Sequence, residues 1–232
     1  MRGRVVQRIL RQHLRNWWPN VGGLRMLGFG FAAPYLKPFL GEAERVVALM
    51  PSHQGAVYWP PDELGLVSMC PEAELPIETN SIDRLLVVHG LQGYESLDAI
   101  LRESWRVLTG QGRLILVVPN RSGIWARVDS TPFGHGTPYS QTQIKHHLKE
   151  YQFVPERADR ALFVPPSSSR LLLATAPAWE KIGQRFFNAF GGLNIVEASK
   201  QLYAGTLVGA ATPAAMVRRR VASAGPVSRE KL

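Results

Sequence analysis

The fold is decided by residues 82–118, which have the sequence IDRLLVVHGLQGYESLDAILRESWRVLTGQGRLILVV. The segment begins with a nearly continuous apolar run, Ile82–Val88, as expected for a parallel strand that is covered on both faces. Ser96 can cap a following helix whose apolar residues recur at helical spacing: Leu97, Ile100, Leu101, Trp105 and Leu108. Gly110 and Gly112 end that helix before a second apolar strand, Arg113–Val118. This order predicts a βαβ unit of a parallel sheet.

The same alternation continues on both sides of this unit. On the amino-terminal side the sequence predicts a strand, a short irregular helix and two more strands: Leu24–Leu27, Pro34–Leu40, Arg45–Leu49 and Leu66–Met69. On the carboxyl-terminal side it predicts a polar helix, a strand, a second helix and a final strand: Ser140–Tyr151, Phe153–Val164, Pro177–Phe190 and Gly192–Tyr203. These elements predict an α/β domain with a mostly parallel sheet and an antiparallel edge.

A glycine-rich segment, Gly28-Phe29-Gly30-Phe31-Ala32-Ala33, separates the first predicted strand from the short helix. It matches the G-x-G-x-x-A form of the dinucleotide-binding motif, in which glycines let the backbone approach a cofactor. A tight turn without any ligand is an alternative interpretation of the same pattern. A nucleotide site of this type also needs an acid at the end of the second strand, where the ribose hydroxyls bind. Met50 occupies that position, so the usual ribose acceptor is missing.

Two further segments occur in the order and spacing of a known family. The first is Glu74-Leu75-Pro76-Ile77, followed by Ile82-Asp83 at the start of a strand. The second contains Glu103, Arg106-Val107-Leu108 and Gly112, with Thr109-Gly110-Gln111 where the family has Lys-Pro-Gly. Together with the glycine segment they resemble the class I S-adenosylmethionine-dependent methyltransferases of the small-molecule type 11 kind, over roughly residues 22–155.

The resemblance implies a three-layer, Rossmann-like methyltransferase fold with a mostly parallel seven-stranded sheet, an antiparallel edge hairpin and S-adenosylmethionine across the carboxyl ends of the strands. It implies cofactor-binding residues in four places: Gly28, Gly30 and Ala32 beside the methionine part, Met50 at the ribose, Glu72 and Ala73 near the adenine, and His89 and Gly90 under the methyl-sulfonium. The cofactor motif is degenerate, because Met26 and Met50 stand where the family has acids. Each missing charged hydrogen bond is expected to cost about 1.5–3 kcal/mol of binding free energy.

Methyl transfer needs an aligned nucleophile in a water-poor pocket, and a base where that nucleophile carries a proton. The segment 120–139 follows a strand at the position of a substrate lid in the family's fold, and it contains Asp129 and His135 as candidate catalytic residues. The segment also contains three aromatic residues, Trp125, Phe133 and Tyr139, and a pair of them could shape the pocket with Asp129 and His135. The alternative is an ordered loop packed by its own aromatic side chains. Cys70 is the only cysteine, which excludes a multi-cysteine metal site, and the adjacent His146 and His147 point apart on a helix, so no metal site is expected.

The formal net charge of +9 is concentrated at the two ends of the chain. Residues 1–25 carry a formal +6 without an acid and residues 212–232 carry a formal +4, which leaves the middle close to neutral. We expect three parts: a basic amphipathic helix over residues 1–20, a methyltransferase-like domain over 21–205 and a flexible basic tail over 206–232. The basic ends could contact RNA, an anionic membrane surface or a protein partner.

Three hypotheses on function are open at this point. The first is an S-adenosylmethionine-dependent methyltransferase of unknown acceptor. The second is a catalytically inactive methyltransferase-fold binding module that uses its basic ends to contact RNA, membrane or a protein. The third is a nicotinamide-dependent oxidoreductase, which rests on the glycine motif alone and which Met50 disfavours. The single cysteine and the lack of a long apolar run favour a cytoplasmic location.

Overall fold

The structure is a computed structural model that describes residues 2–52, 55, 57–61, 65–89, 94–123, 125, 137–165 and 175–201. It contains five helices in these residues: α1 (Arg2–Trp17), α2 (Ala33–Leu36), α3 (Tyr94–Val107), α4 (Gln141–Glu150) and α5 (Ala176–Phe186). Its strands there are β1 (Arg25–Gly30), β2 (Arg45–Pro51), β3 (Val67–Cys70), β4 (Ile82–Val88), β5 (Leu108–Pro119), β6 (Phe153–Ala161) and β7 (Leu193–Lys200). Single 3₁₀ turns follow α2 at Lys37–Phe39 and α5 at Asn188–Phe190. The predicted tail, 206–232, lies outside the described residues.

The seven strands form one sheet in the order β3-β2-β1-β4-β5-β7-β6. The strands β1 to β5 pair in parallel, whereas β7 runs antiparallel to both β5 and β6. This confirms the predicted mostly parallel, seven-stranded sheet with an antiparallel edge. The order also differs from that of the standard dinucleotide-binding sheet, which is 3-2-1-4-5-6 without an inserted antiparallel strand.

Apolar clusters cover both faces of the sheet, which gives the fold its three layers. On the first face, side chains of α1 and α2 pack on strand residues such as Leu86 and Ile115. On the second face, side chains of α3 and α4 pack on strand residues such as Leu85 and Leu116. Successive strand residues point to opposite faces, so neighbours in sequence belong to different clusters. The continuous apolar run of β4 is therefore the signature of a strand buried on both sides.

Helix α1 packs on the first face of the sheet. Its Val6, Leu10 and Leu14 are buried in the apolar cluster there. Arg11 of the same helix donates hydrogen bonds of 2.8 and 2.6 Å to the carbonyl of Pro34, which lies in α2. No helix among the described residues is long and apolar enough to cross a membrane.

Strand β1 extends further than the sequence predicts, because it includes both glycines of the motif. The prediction ended the strand at Leu27, whereas the observed strand continues to Gly30. Gly28 pairs with Ala48 of β2 and with Leu86 of β4. Neighbouring strands on both sides thus hold an extended backbone that glycine by itself does not favour.

The family-like motif around Glu103 and Arg106 holds the segment that precedes β4. Arg106 donates hydrogen bonds of 2.8 Å to the carbonyls of Leu75 and Ile77. Glu103 accepts a 2.8 Å hydrogen bond from the backbone N–H of Leu75 and forms a 2.7 Å ion pair with Arg106. These two residues therefore stabilise the fold by holding the connection that leads into β4.

Candidate functional site

The carboxyl ends of β1 and β4 lie side by side at the point where the strand order reverses. Open α/β sheets bind ligands at such a point, because the connections from the two strands leave on opposite faces and open a crevice. The backbone N–H of Phe31 donates a 2.7 Å hydrogen bond to the carbonyl of Val88, which ties the turn after β1 to β4. Gly30 and His89 have positive φ values of 75° and 48° at this crevice. Such values suit glycine, whereas they are uncommon for histidine.

Gly28 and Gly30 have different physical roles. A Cβ on Gly28 would lie 2.5 Å from Cδ1 of Leu36 and 2.7 Å from Cβ of Ala32, well inside the normal contact distance of carbon atoms. Gly28 therefore allows α2 to pack closely on β1, whether or not a cofactor binds. Gly30 allows the left-handed turn at the end of the strand. Ala32 follows that turn and is fully buried.

Met26 and Met50 are both buried, with 1% and 5% of their surfaces exposed. Met26 belongs to the apolar cluster on the first face of the sheet. Met50 lies near the carboxyl end of β2, in parallel register with Met69 of β3. A thioether accepts hydrogen bonds only weakly, so neither side chain replaces a carboxylate.

The polar side chains described beyond β2 and β3 include Ser52, which is exposed, and Glu72, which is half-buried. Ala73 beside Glu72 is exposed. Burial, followed by the charges of Glu72 and Glu103, raises the pKa of the Cys70 thiol to about 11, so the thiol is protonated and unreactive at pH 7. The residues at this edge fit S-adenosylmethionine at the backbone turn after β1. The end of β2 offers the thioether of Met50 and no carboxylate, and Ser52 and Glu72 are the described polar side chains that follow β2 and β3.

His89 lies between the carboxyl ends of β4 and β5, and its backbone N–H donates to the carbonyl of Val117 at 3.4 Å. Burial lowers the pKa of its imidazole to about 4. The ring is therefore neutral at pH 7, where it can donate or accept a hydrogen bond but is a weak base. Gly90, which was predicted beside it, lies outside the described residues.

The candidate catalytic residues Asp129 and His135 also lie outside the described residues. Of the three aromatic residues of this segment, Phe133 lies outside the described residues, whereas Trp125 and Tyr139 are described and buried. Trp125 donates a 2.7 Å hydrogen bond from Nε1 to the carbonyl of Val164, and Tyr139 packs in the cluster on the second face. These two side chains contribute to the core. Among the described residues, no group of three His, Cys, Asp or Glu side chains could hold a metal ion.

Two buried asparagines at the antiparallel edge were not predicted. Asn120, after β5, donates a 2.7 Å hydrogen bond to the carbonyl of Gly191 just before β7. Asn194 of β7 donates a 2.8 Å hydrogen bond to the carbonyl of Tyr139. The amide of Asn194 inside an apolar strand was the available signal, because a buried polar side chain needs a partner. The two amides connect the carboxyl end of β5 to the segments on either side of it.

Comparisons with known proteins identify the class of fold. No protein-family model matches the chain, and no curated protein matches its sequence. An S-adenosylmethionine-dependent methyltransferase from Archaeoglobus fulgidus superposes with a TM-score of 0.61 at 14% identity, over 84% of this chain and 94% of that one. A possible histamine N-methyltransferase from Thermotoga maritima gives 0.61 at 16% identity, over 85% and 90%.

Geranyl diphosphate C-methyltransferase from Streptomyces coelicolor, solved with S-adenosylhomocysteine, gives a TM-score of 0.54 at 14% identity, over 83% of this chain and 76% of that chain. At these low identities the likeness establishes the architecture. The chain has the class I methyltransferase fold, as its motifs predicted.

Proposed function

We propose that the chain is an S-adenosylmethionine-dependent methyltransferase. The observation that carries the proposal is the position of the glycine turn, which lies between the carboxyl ends of β1 and β4 at the reversal point of a methyltransferase-type sheet. Backbone groups of this turn, around Gly30, would hold the methionine part of the cofactor. The remaining cofactor contacts in the proposal are Met50, Glu72, Ala73, His89 and Gly90, with Gly28 and Ala32 supporting the turn. The bound cofactor would supply an electrophilic methyl group, and Asp129 and His135 stay candidate bases for the acceptor.

Calorimetric titration tests cofactor binding directly. We expect S-adenosylmethionine and S-adenosylhomocysteine to bind the full chain, and NADH, used as the control, not to bind. The absence of heat with both sulfur ligands at millimolar concentration would contradict the proposal. Heat with NADH alone would revive the oxidoreductase hypothesis, which the strand order disfavours.

A carboxylate at the end of β2 should strengthen cofactor binding. In Met50→Asp, the new side chain can accept hydrogen bonds from the ribose hydroxyls. We expect S-adenosylhomocysteine to bind about tenfold more tightly, which corresponds to about 1.4 kcal/mol, while the unliganded protein loses stability because the carboxylate is buried.

The matched control is Met69→Asp, since Met69 pairs with Met50 in register and is exposed. It adds the same charge one strand away from the proposed ribose position. Equal affinity of Met50→Asp and wild type, or an equal gain in both variants, would show that the ribose lies elsewhere.

Partners other than the acceptor are proposed from charge. The comparisons do not favour the inactive binding module, but the basic ends can still contact RNA, an anionic membrane or a protein. Because α1 is built into the core, its removal is not a usable test. Reversal of the exposed Arg4 and Arg8 to Glu should instead weaken a salt-sensitive interaction while the fold is kept. A cytoplasmic location is part of the same proposal and fits the single, buried cysteine.

A further inference from the structure

Three arginines line a cavity near the amino ends of the parallel strands, which is the end of the sheet opposite to the glycine turn. Arg84 lies near the start of β4, Arg113 is its paired residue in β5, and Arg157 comes from β6. The end of α1 and the residues after it form the rest of the wall, including Trp17 and Asn20, and none of the described residues that line the cavity is a carboxylate. Its volume of about 330 Å³ is roughly ten times the volume of a water molecule.

The arginine pocket, defined by Arg84, Arg113 and Arg157, has one buried carboxylate beneath it. Glu197 of β7 is fully buried and contacts Arg113 at 3.5 Å and Arg157 at a shorter distance. Its other oxygen accepts a 2.8 Å hydrogen bond from Nε1 of Trp18. Glu197 pairs with Arg113 and Arg157, and the guanidiniums of the pocket therefore outnumber the carboxylate that pairs with them.

Arg84 shows the consequence of this imbalance. Asp83, beside it in sequence, is bound to Arg25 at 3.2 Å instead. Arg84 lies opposite Arg113 in register, and like charges in that arrangement destabilise a sheet. One guanidinium nitrogen of Arg84 donates to the carbonyl of Asp83, but its Nε is buried without a hydrogen-bond partner. Burial, followed by the charge of Arg113, lowers the pKa of Arg84.

We propose that the arginine pocket binds a phosphate group. Guanidiniums form pairs of parallel hydrogen bonds with phosphate oxygens, and their planar donors suit this geometry better than lysine does. A phosphate dianion would add negative charge where the guanidiniums outnumber the carboxylate that pairs with them. The cavity has room for a free phosphate or for the end of a phosphomonoester. This inference does not depend on methyl transfer, because the arginine pocket and the glycine turn lie at opposite ends of the strands.

Calorimetry on the full chain in a buffer without phosphate, at 150 mM sodium chloride, tests the proposal. The probes are inorganic phosphate and glycerol 3-phosphate, with glycerol as the uncharged control. We expect both phosphates to bind and glycerol not to bind. Equal affinities would identify the phosphate group itself as the ligand, whereas tighter binding of glycerol 3-phosphate would identify a phosphomonoester. No binding of either phosphate at millimolar concentration would overturn the proposal.

Arg113→Gln should weaken phosphate binding at least tenfold, because it removes one guanidinium while Glu197 keeps Arg157 and Trp18 as partners. Arg102→Gln on the exposed side of α3 is the matched control, since it removes the same charge far from the pocket. An equal loss in both variants would reveal a general charge effect and would contradict a specific site.

Arg113→Lys keeps the charge for Glu197 and loses the planar donors, so it should also bind phosphate more weakly than wild type. Wild-type affinity in this variant would count against recognition by the planar donors of a guanidinium.

Discussion

Glu103 stays ionised inside the protein because its hydrogen-bond donors are fixed. The guanidinium of Arg106 and then the backbone N–H of Leu75 hold the pKa of this carboxyl below its usual value, against the opposing effect of burial. The side chain of Glu103 is 11% exposed, so water replaces these partners poorly. A buried charge with fixed donors is costly to disturb, whereas the same pair at the surface would contribute little.

Glu103→Gln should therefore destabilise the protein by about 1.5–3 kcal/mol at pH 7. Since the pKa is lower in the folded state, the stabilisation by Glu103 is present above the pKa of the unfolded chain and is lost as pH falls through the folded value. The stability difference between wild type and variant should shrink as the pH drops below about 4. Urea unfolding at pH 7, 5 and 3 measures it.

Glu78→Gln is the control for this prediction, because Glu78 is an exposed carboxylate on the same connection before β4. It should leave the free energy of unfolding within about 0.5 kcal/mol of wild type. A pH-independent effect of Glu103→Gln would show that the amide disturbs packing and that charge has no part in the loss.

Helix α4 begins with a capping box, in which Ser140 and Gln143 each accept a hydrogen bond from the backbone N–H of the other. The hydroxyl of Ser140 accepts a 3.2 Å hydrogen bond from the N–H of Gln143, and the side chain of Gln143 accepts a 2.9 Å hydrogen bond from the N–H of Ser140. Two otherwise unpaired N–H groups are satisfied in this way. Ser140→Ala should cost about 1 kcal/mol in the free energy of unfolding, measured with urea.

Ser68→Ala is the matched control for the cap, because Ser68 is exposed in the edge strand β3. Its removal should change the free energy of unfolding by less than about 0.5 kcal/mol. If both alanine variants lost the same stability, the effect of Ser140→Ala would come from the loss of a hydroxyl in general, and the cap would have no special weight.

Elements were predictable where the local pattern and the tertiary environment agreed. The bounds of β4 match the prediction, because a strand covered on both faces is apolar throughout. The end of β1 was predicted three residues early, since its glycines extend only through pairing with β2 and β4. The mostly parallel sheet with its antiparallel edge followed from the alternation of strands and helices. The burial of Trp125 did not, because an aromatic residue in a loop packs equally well in a core or in a pocket.

The whole molecule is organised around a sheet in which the carboxyl ends and the amino ends of the parallel strands have different side chains and different charge. The carboxyl ends of the strands have the glycine turn and a neutral histidine, whereas the amino ends have the arginine pocket. The register Arg84↔Arg113 and Arg157↔Glu197 is set by the strand order, so the charged pocket is a product of topology. No local pattern in the sequence predicts the arginine pocket, since its arginines come from three separate strands.

Helix α1 shares its core with the sheet, because its buried side chains belong to the same apolar cluster as the central strands. Leu14 is fully buried there, so Leu14→Ala should lower the free energy of unfolding by about 2–5 kcal/mol. If α1 folds with the sheet as one unit, tryptophan fluorescence and far-ultraviolet circular dichroism should shift together to lower urea concentration. Gln12→Ala, on the exposed side of the same helix, should leave both curves unchanged. A Leu14→Ala variant that loses helical signal at low urea while the remaining transition stays at its wild-type midpoint would instead establish α1 as a separate, loosely attached element.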